Sequence, residues 1–169
     1  MALVRALRLL VVVIAAEGAL AAQSGQPPKL VEPRFSIAIS VDSSTVKTGS
    51  QITTKAVLTN KAKDTIFLDT FAQWTGELDL EVEVRDVQGN LAPLTDYGRL
   101  VIKGEGDVPI VGKVFSMALL PGEVLKKDVV ISKLYDLSQP GKYTIQAQRV
   151  DDANGALAKS NTVTVTVTP

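Results

Sequence analysis

The chain contains neither cysteine nor histidine. Thiol nucleophiles, imidazole bases and the thiolate or imidazole ligands of zinc and copper are therefore missing, and those classes of site go with them. The groups left for acid–base work are carboxylates, of which Glu77, Asp79, Glu81 and Glu83 are the densest run. The last three alternate with Leu78, Leu80, Val82 and Val84, so a strand sets them on its watery face as solvated charges. Asp151, Asp152 and Asn154 offer oxygen ligands, but a calcium loop needs more of them at defined spacing and usually a bidentate Glu. Asn154-Gly155 is instead the favoured type I′ hairpin pair. The glycines between Gly98 and Gly112 have no strand-to-helix context and make no phosphate cradle. The residues indicate no enzyme, no metal and no cofactor.

These groups sit in an all-β pattern behind a leader. Arg5 and Arg8 precede an apolar stretch from Leu9 to Ala16, and Ala19-Leu20-Ala21 has the small-x-small spacing of a signal-peptidase site. Residues 1–21 are expected to be a signal peptide, which puts the mature chain in a secreted or periplasmic compartment. The apolar run is far below the roughly 20 residues that span a bilayer. Residues 22–34 carry Pro27, Pro28 and Pro33 and read as an extended linker. Residues 35–169 then form one domain. With 18 basic against 18 acidic residues and no long run of one sign, neither nucleic acid nor, after cleavage, membrane is an expected partner.

Inside the domain the period is two. Phe35, Ile37, Ile39 and Val41 alternate, then Ile52 to Leu58, with Ile66-Phe67-Leu68 as a short apolar piece. Leu78 to Arg85 is the cleanest alternation, and Gly89 closes a hairpin loop behind it. Leu91 to Leu94 is expected to be the return strand, demoted to an edge by Pro93. Leu100-Val101-Ile102 reads as a possible short strand in an irregular segment from Thr95 to Gly112. Phe115 to Leu119, Leu125 to Ile131, Tyr143 to Arg149 and Thr162 to Val167 complete the set. Pro121-Gly122 is a type II turn pair, and Lys133 to Leu137 has room for at most one helical turn. The expected core is Ile37, Ile39, Leu58, Leu80, Val82, Val84, Leu119, Val129, Ile131, Tyr143, Ile145, Ala147, Val163 and Val165. Short strands at regular spacing mean a sandwich.

The run Asp136-Leu-Ser-Gln-Pro-Gly141-Lys-Tyr143-Thr-Ile-Gln-Ala resembles the tyrosine corner of an immunoglobulin-type antiparallel β-sandwich of about 7–9 strands. Asp136, Gly141 and Tyr143 are its structural residues, with the Tyr143 hydroxyl expected on a backbone carbonyl near Asp136 to Ser138. The turn Leu120-Pro-Gly-Glu123 followed by Gly-x-Tyr is similar to bacterial immunoglobulin-like domains, most of all the intracellular proteinase inhibitor (BsuPI-type) domain. That similarity covers roughly Ile52 to Arg149 and implies protease inhibition, while its motifs specify architecture more than activity. The cysteines of an antibody domain are absent, and Ile145 stands where one would be.

For recognition the candidates are Trp74, an aromatic between polar stretches, and Val108-Pro109-Ile110-Val111, an extended apolar segment in the glycine-rich loop. For Trp74 the competing reading is a cover over the open end of the sandwich. The function expected is an exported, non-catalytic module that binds a protein partner through loops or a sheet edge. Protease inhibition and a structural role in the envelope are the alternatives.

Overall fold

The computed structural model describes residues 31–72, 80–105 and 113–169. Along the chain it has β1 (Phe35–Val41), β2 (Thr45–Lys47), β3 (Thr53–Asn60), β4 (Ile66–Ala72), β5 (Glu81–Arg85), α1 (Asp96–Lys103), β6 (Lys113–Leu119), β7 (Val124–Val130), α2 (Ile131–Leu134), β8 (Gly141–Val150) and β9 (Leu157–Thr168). The protein is mostly β. One sheet has the order β1-β3-β7, a second β2-β9-β8-β5, and β4 pairs with β6 in a two-stranded ribbon. The pairs are antiparallel except β2 with β9.

Alternation places one face of each sheet inward. Ile37, Ile39, Leu58 and Val129 from the first sheet meet Val82, Val84, Ile145 and Val165 from the second in one buried cluster. Ile66, Leu68 and Leu119 of the ribbon join it. Burying a side chain of this size contributes about 1.5–3 kcal/mol, so apolar area holds a fold that has no disulfide. Of the expected core, Leu80 and Val163 are only partly buried. Phe35, Ile52, Ala56, Tyr135, Leu137 and Val167 are buried as well.

The ribbon continues the first sheet. Chain 53–72 runs antiparallel to chain 113–130, with Thr59 opposite Val124 before the interruption and Ile66 opposite Leu119 after it. At the joint Glu123 N–H donates to Leu120 O at 3.0 Å and Gly122 takes φ 77°. Asn60, which is 1% exposed, fastens both sides. Its Nδ2 donates to Leu119 O (2.8 Å) and Asp64 O (2.9 Å), and its Oδ1 accepts from Ala62 N–H (2.8 Å).

The segment around residue 100 corrects the sequence reading. Leu100-Val101-Ile102 belongs to α1, not to a strand. Thr95 caps the helix by accepting Gly98 N–H at 2.9 Å, and Gly104 ends it in the left-handed region at φ 66°. Tyr97 and Val101, one helical turn apart, pack against the core. Leu91 to Leu94 is not a strand either. It makes two isolated bridges, Arg85 with Leu91 and Leu94 with Tyr135, because Pro93 has no N–H with which to extend a ladder. The helical turn expected at Lys133 to Leu137 starts earlier, at Ile131.

Candidate functional site

A sheet margin is where unpaired main chain is presented, and in the two larger sheets the margins at β1 and β5 are clipped by side chains or loop while that at β2 is short. Outside β1, Asn161 of β9 acts as a surrogate strand: Ile39 N–H donates to its Oδ1 at 2.8 Å and its Nδ2 donates to Ile39 O at 2.9 Å. Outside β5, Ala92 N–H donates to Val84 O at 2.8 Å and the Tyr135 hydroxyl donates to Val82 O at 2.6 Å. Burial, then Glu83 and Glu81, push the Tyr135 hydroxyl above its ordinary pKa, so it stays a donor. The margin at β2 is a strand of three residues.

The remaining margin of these two sheets, β7, is seven residues long. Its ladder to β3 is bracketed by Asn60 N–H to Glu123 O (3.0 Å) and Ile131 N–H to Ile52 O (2.8 Å). Antiparallel alternation then turns the N–H and C=O groups of Val124, Lys126, Asp128 and Val130 away from β3. Among the described residues the groups of Val124, Lys126 and Asp128 have no main-chain partner, while Val130 is the N-cap of α2 and turns its C=O into that helix. Lys126 projects into water, whereas Lys127 faces inward and is half-buried. An inward lysine and an outward lysine on one edge deter indiscriminate strand pairing.

At one end of the second sheet, Arg34 clamps the residues just before β1 to the β8–β9 turn. Its N–H donates to Asp151 Oδ2 at 2.8 Å, its Nε to both carboxylate oxygens and its Nη2 to Oδ1 at 2.9 Å. Burial alone would raise the Asp151 carboxyl. The hydrogen bonds from Arg34, with one from Ala153 N–H and the nearby positive charge, hold it below the ordinary carboxylate value instead. Asp151, Asp152 and Asn154 therefore do not gather as a cation site, and among the described residues no group of three or more carboxylates could hold a metal. The turn is not type I′ either, since Gly155 alone takes a positive φ, 73°, and Asn154 does not. Asp151 O accepts from both Asn154 N–H and Gly155 N–H. The sequence signal for the clamp was two ordinary-looking residues, one in a proline-rich stretch and one in a turn.

The Tyr143 hydroxyl donates to Gln139 O at 2.8 Å, one residue past the expected stretch, and Ser138 N–H donates to Asp136 Oδ1 at 3.0 Å. Gly141 has no left-handed φ, and a Cβ there would meet only the Tyr143 ring at 3.9 Å. Trp74 and Val108, Pro109, Ile110 and Val111 lie outside the described residues.

Arg149 is nearly buried on the inner face of β8, with Nη2 donating to Asp69 O at 2.8 Å and Nη1 without a partner among the described residues. An open cleft of ≈ 280 Å³ lies beside Val41, Val46 and Ile52. Asp42 at its rim is paired with Lys55 at 2.6 Å, and the Ser43 hydroxyl donates to Thr45 O. Ser44 and Lys47 have serine–lysine dyad spacing, but Ser44 lies before β2, Lys47 ends it, and both are exposed.

No protein-family model matches the chain, and no curated protein does. Solved structures of similar shape include the CARDB domain of PF1109 from Pyrococcus furiosus, in complex with di-metal ions. It has a TM-score of 0.41 and 16% identity over 82% of this chain and 91% of that one. A β-glucosidase from Erythrobacter marinus (TM-score 0.41, 15% identity, 79% of this chain) and the alkylpurine DNA glycosylase AlkC of Pseudomonas fluorescens (0.43, 10%, 81%) are similar at the same level. The chain spans 15% and 31% of those two proteins. Likeness of this degree assigns no activity.

Proposed function

We propose that this chain is an exported, non-catalytic immunoglobulin-like module whose β7 edge receives an extended segment of a protein partner as an added strand. The observation that carries this reading is the unpartnered row of main-chain groups at Val124, Lys126 and Asp128, beside clipped or short margins at β1, β2 and β5. Neither Lys126 nor Lys127 has an ion-pair partner among the described residues, so the added strand should carry acidic side chains on the faces that meet them. The leader-like pattern from Arg5 to Ala21 supports export.

The test is Lys126→Pro. It removes an outward N–H and leaves the β3 ladder intact. A pull-down from the envelope fraction, with binding of the identified partner then measured on purified chains, should succeed with wild type and with Trp74→Ala and fail with Lys126→Pro at an unchanged melting temperature. Binding retained by Lys126→Pro overturns the edge. Loss on substituting Trp74 or Val108 to Val111 instead moves recognition to the loops. Inhibition of a protease by the wild-type chain would favour the inhibitor reading that the BsuPI-type resemblance implies.

A further inference from the structure

Asn154-Gly155 is the one Asn-Gly pair in the sequence, and the fold holds it by one bond to Glu32 and by bonds within the turn. The Asn154 Nδ2 donates to Glu32 O at 3.0 Å and Ala156 N–H donates to the Asn154 Oδ1 at 2.9 Å. Gly155 N–H donates to Asp151 O at 2.7 Å. The Asp151 carboxylate in turn grips Arg34 through main chain and guanidinium. Asn154 and Gly155 are themselves exposed, so water and base reach them freely.

We propose that Asn154 is a latent self-modification site, silenced while residues 32–34 stay docked and converted irreversibly once they leave. Elementary chemistry sets the step. The Gly155 amide nitrogen, after loss of its proton to base, attacks Asn154 Cγ. A C–N bond forms, the Cγ–Nδ2 bond breaks and ammonia departs, leaving a succinimide. Water opens the ring to aspartate or isoaspartate, with no change of oxidation state. The attacking nitrogen is engaged by Asp151 O and the leaving amide by Glu32 O, so attack needs both bonds to open. The rate is therefore the intrinsic rate multiplied by the fraction of time the clamp is open.

The product cannot restore the clamp. An aspartate at 154 places an acceptor against Glu32 O, where Nδ2 had donated, and leaves two acceptors without a hydrogen between them. It also adds a negative charge beside Asp151 and Asp152. Isoaspartate lengthens the backbone by one carbon inside a turn whose bonds fix its length. The turn thus records, once, that residues 32–34 have been pulled away.

The experiment incubates purified chains at mildly alkaline pH and follows the amide-to-acid mass change in the tryptic peptide Val150–Lys159. Wild type should convert more slowly than the same chain in denaturant by at least about a hundredfold, and Arg34→Gln, still folded, faster than wild type by at least about tenfold. Equal rates for folded wild type and Arg34→Gln, or wild type converting at the denatured rate, overturn the proposal. Asn154→Asp keeps it testable should Arg34→Gln unfold. Trypsin should release a chain beginning at Phe35 at least about tenfold faster from Asn154→Asp than from wild type at an unchanged global melt. An unchanged cleavage rate refutes the one-way release.

Discussion

Arg34 and Asp151 are 117 residues apart in sequence and meet through main chain and side chain together, with the guanidinium forked across the carboxylate. Asp151 is 1% exposed on its side chain, whereas Arg34 keeps 29% of its own in water. The pair therefore fixes where the domain begins. The compact unit starts at Val31, inside the stretch whose prolines read as linker, and the last of those residues belong to the fold.

Arg34→Gln leaves the buried Asp151 carboxylate without its charged partner. Breaking a fully buried pair costs about 3–5 kcal/mol, and the partial exposure of Arg34 lowers the expected loss to about 2–3 kcal/mol at neutral pH. The sign of the pH dependence follows from the lowered Asp151 pKa. The clamp's contribution is complete above the unfolded carboxylate value of about 3.9 and disappears as pH falls through the lower folded value. Denaturant melts should show the wild type and Arg34→Gln converging at acid pH. A gap that stays constant from neutral to strongly acid solution would refute the assignment.

Asn60→Ala tests the joint between the first sheet and the ribbon. The substitution strips Leu119 O, Asp64 O and Ala62 N–H of their partner at a fully buried position. Each buried group left unsatisfied costs about 1–3 kcal/mol, part of which water at the rim recovers. A loss of about 3 kcal/mol or more in urea unfolding is expected. Amide hydrogen exchange should accelerate first in β4 and β6, since the joint supports that end of the ribbon.

The period-two faces were legible because burial repeats every second residue: Val82, Val84, Ile145 and Ala147 lie in the core where alternation puts them. Helix α1 has its signals in the sequence, Thr95-Asp96 at the start and Gly104 at the end. The run Leu100-Val101-Ile102 inside it has the look of a strand and masks them. The clamp, Asn60 and Asn161 were not legible in principle. Each is a polar residue whose partner is distant in sequence, and polar residues in turns or at strand ends look the same whether they meet water or a buried carbonyl. The β7 edge was equally hidden, because which strand lies at a margin depends on topology and not on its own residues.

The two tyrosine hydroxyls should differ in worth. Tyr135 donates to Val82 O in the interior, and Tyr143 donates to Gln139 O in an exposed turn. Tyr135→Phe leaves a buried carbonyl unsatisfied, about 1–3 kcal/mol. Tyr143→Phe leaves one that water can reach, so its cost should fall below about 1 kcal/mol. Thermal melts of the two variants decide the order. A larger loss for Tyr143→Phe would mean that the corner, and not the β5 margin, carries the weight.

Two glycines make the last comparison. At Gly98, inside α1, a Cβ would sit 1.9 Å from Leu134 O and 2.8 Å from Leu134 C, backbone atoms of α2 that cannot swing aside. Gly98→Ala must push the helices apart and break Thr95 N–H to Leu134 O, a 3.0 Å bond beside the contact. Ala is the better helix former by about 1 kcal/mol, and that gain is outweighed by an overlap of this depth. The expected result is a net loss of about 2 kcal/mol or more. At Gly141 the new methyl finds ordinary contact with Tyr143 and no strained backbone, so Gly141→Ala should change stability by less than about 0.5 kcal/mol. If unfolding curves show Gly141→Ala to be the damaging substitution and Gly98→Ala the silent one, then the close approach of α1 to α2 is not what holds that end of the molecule together.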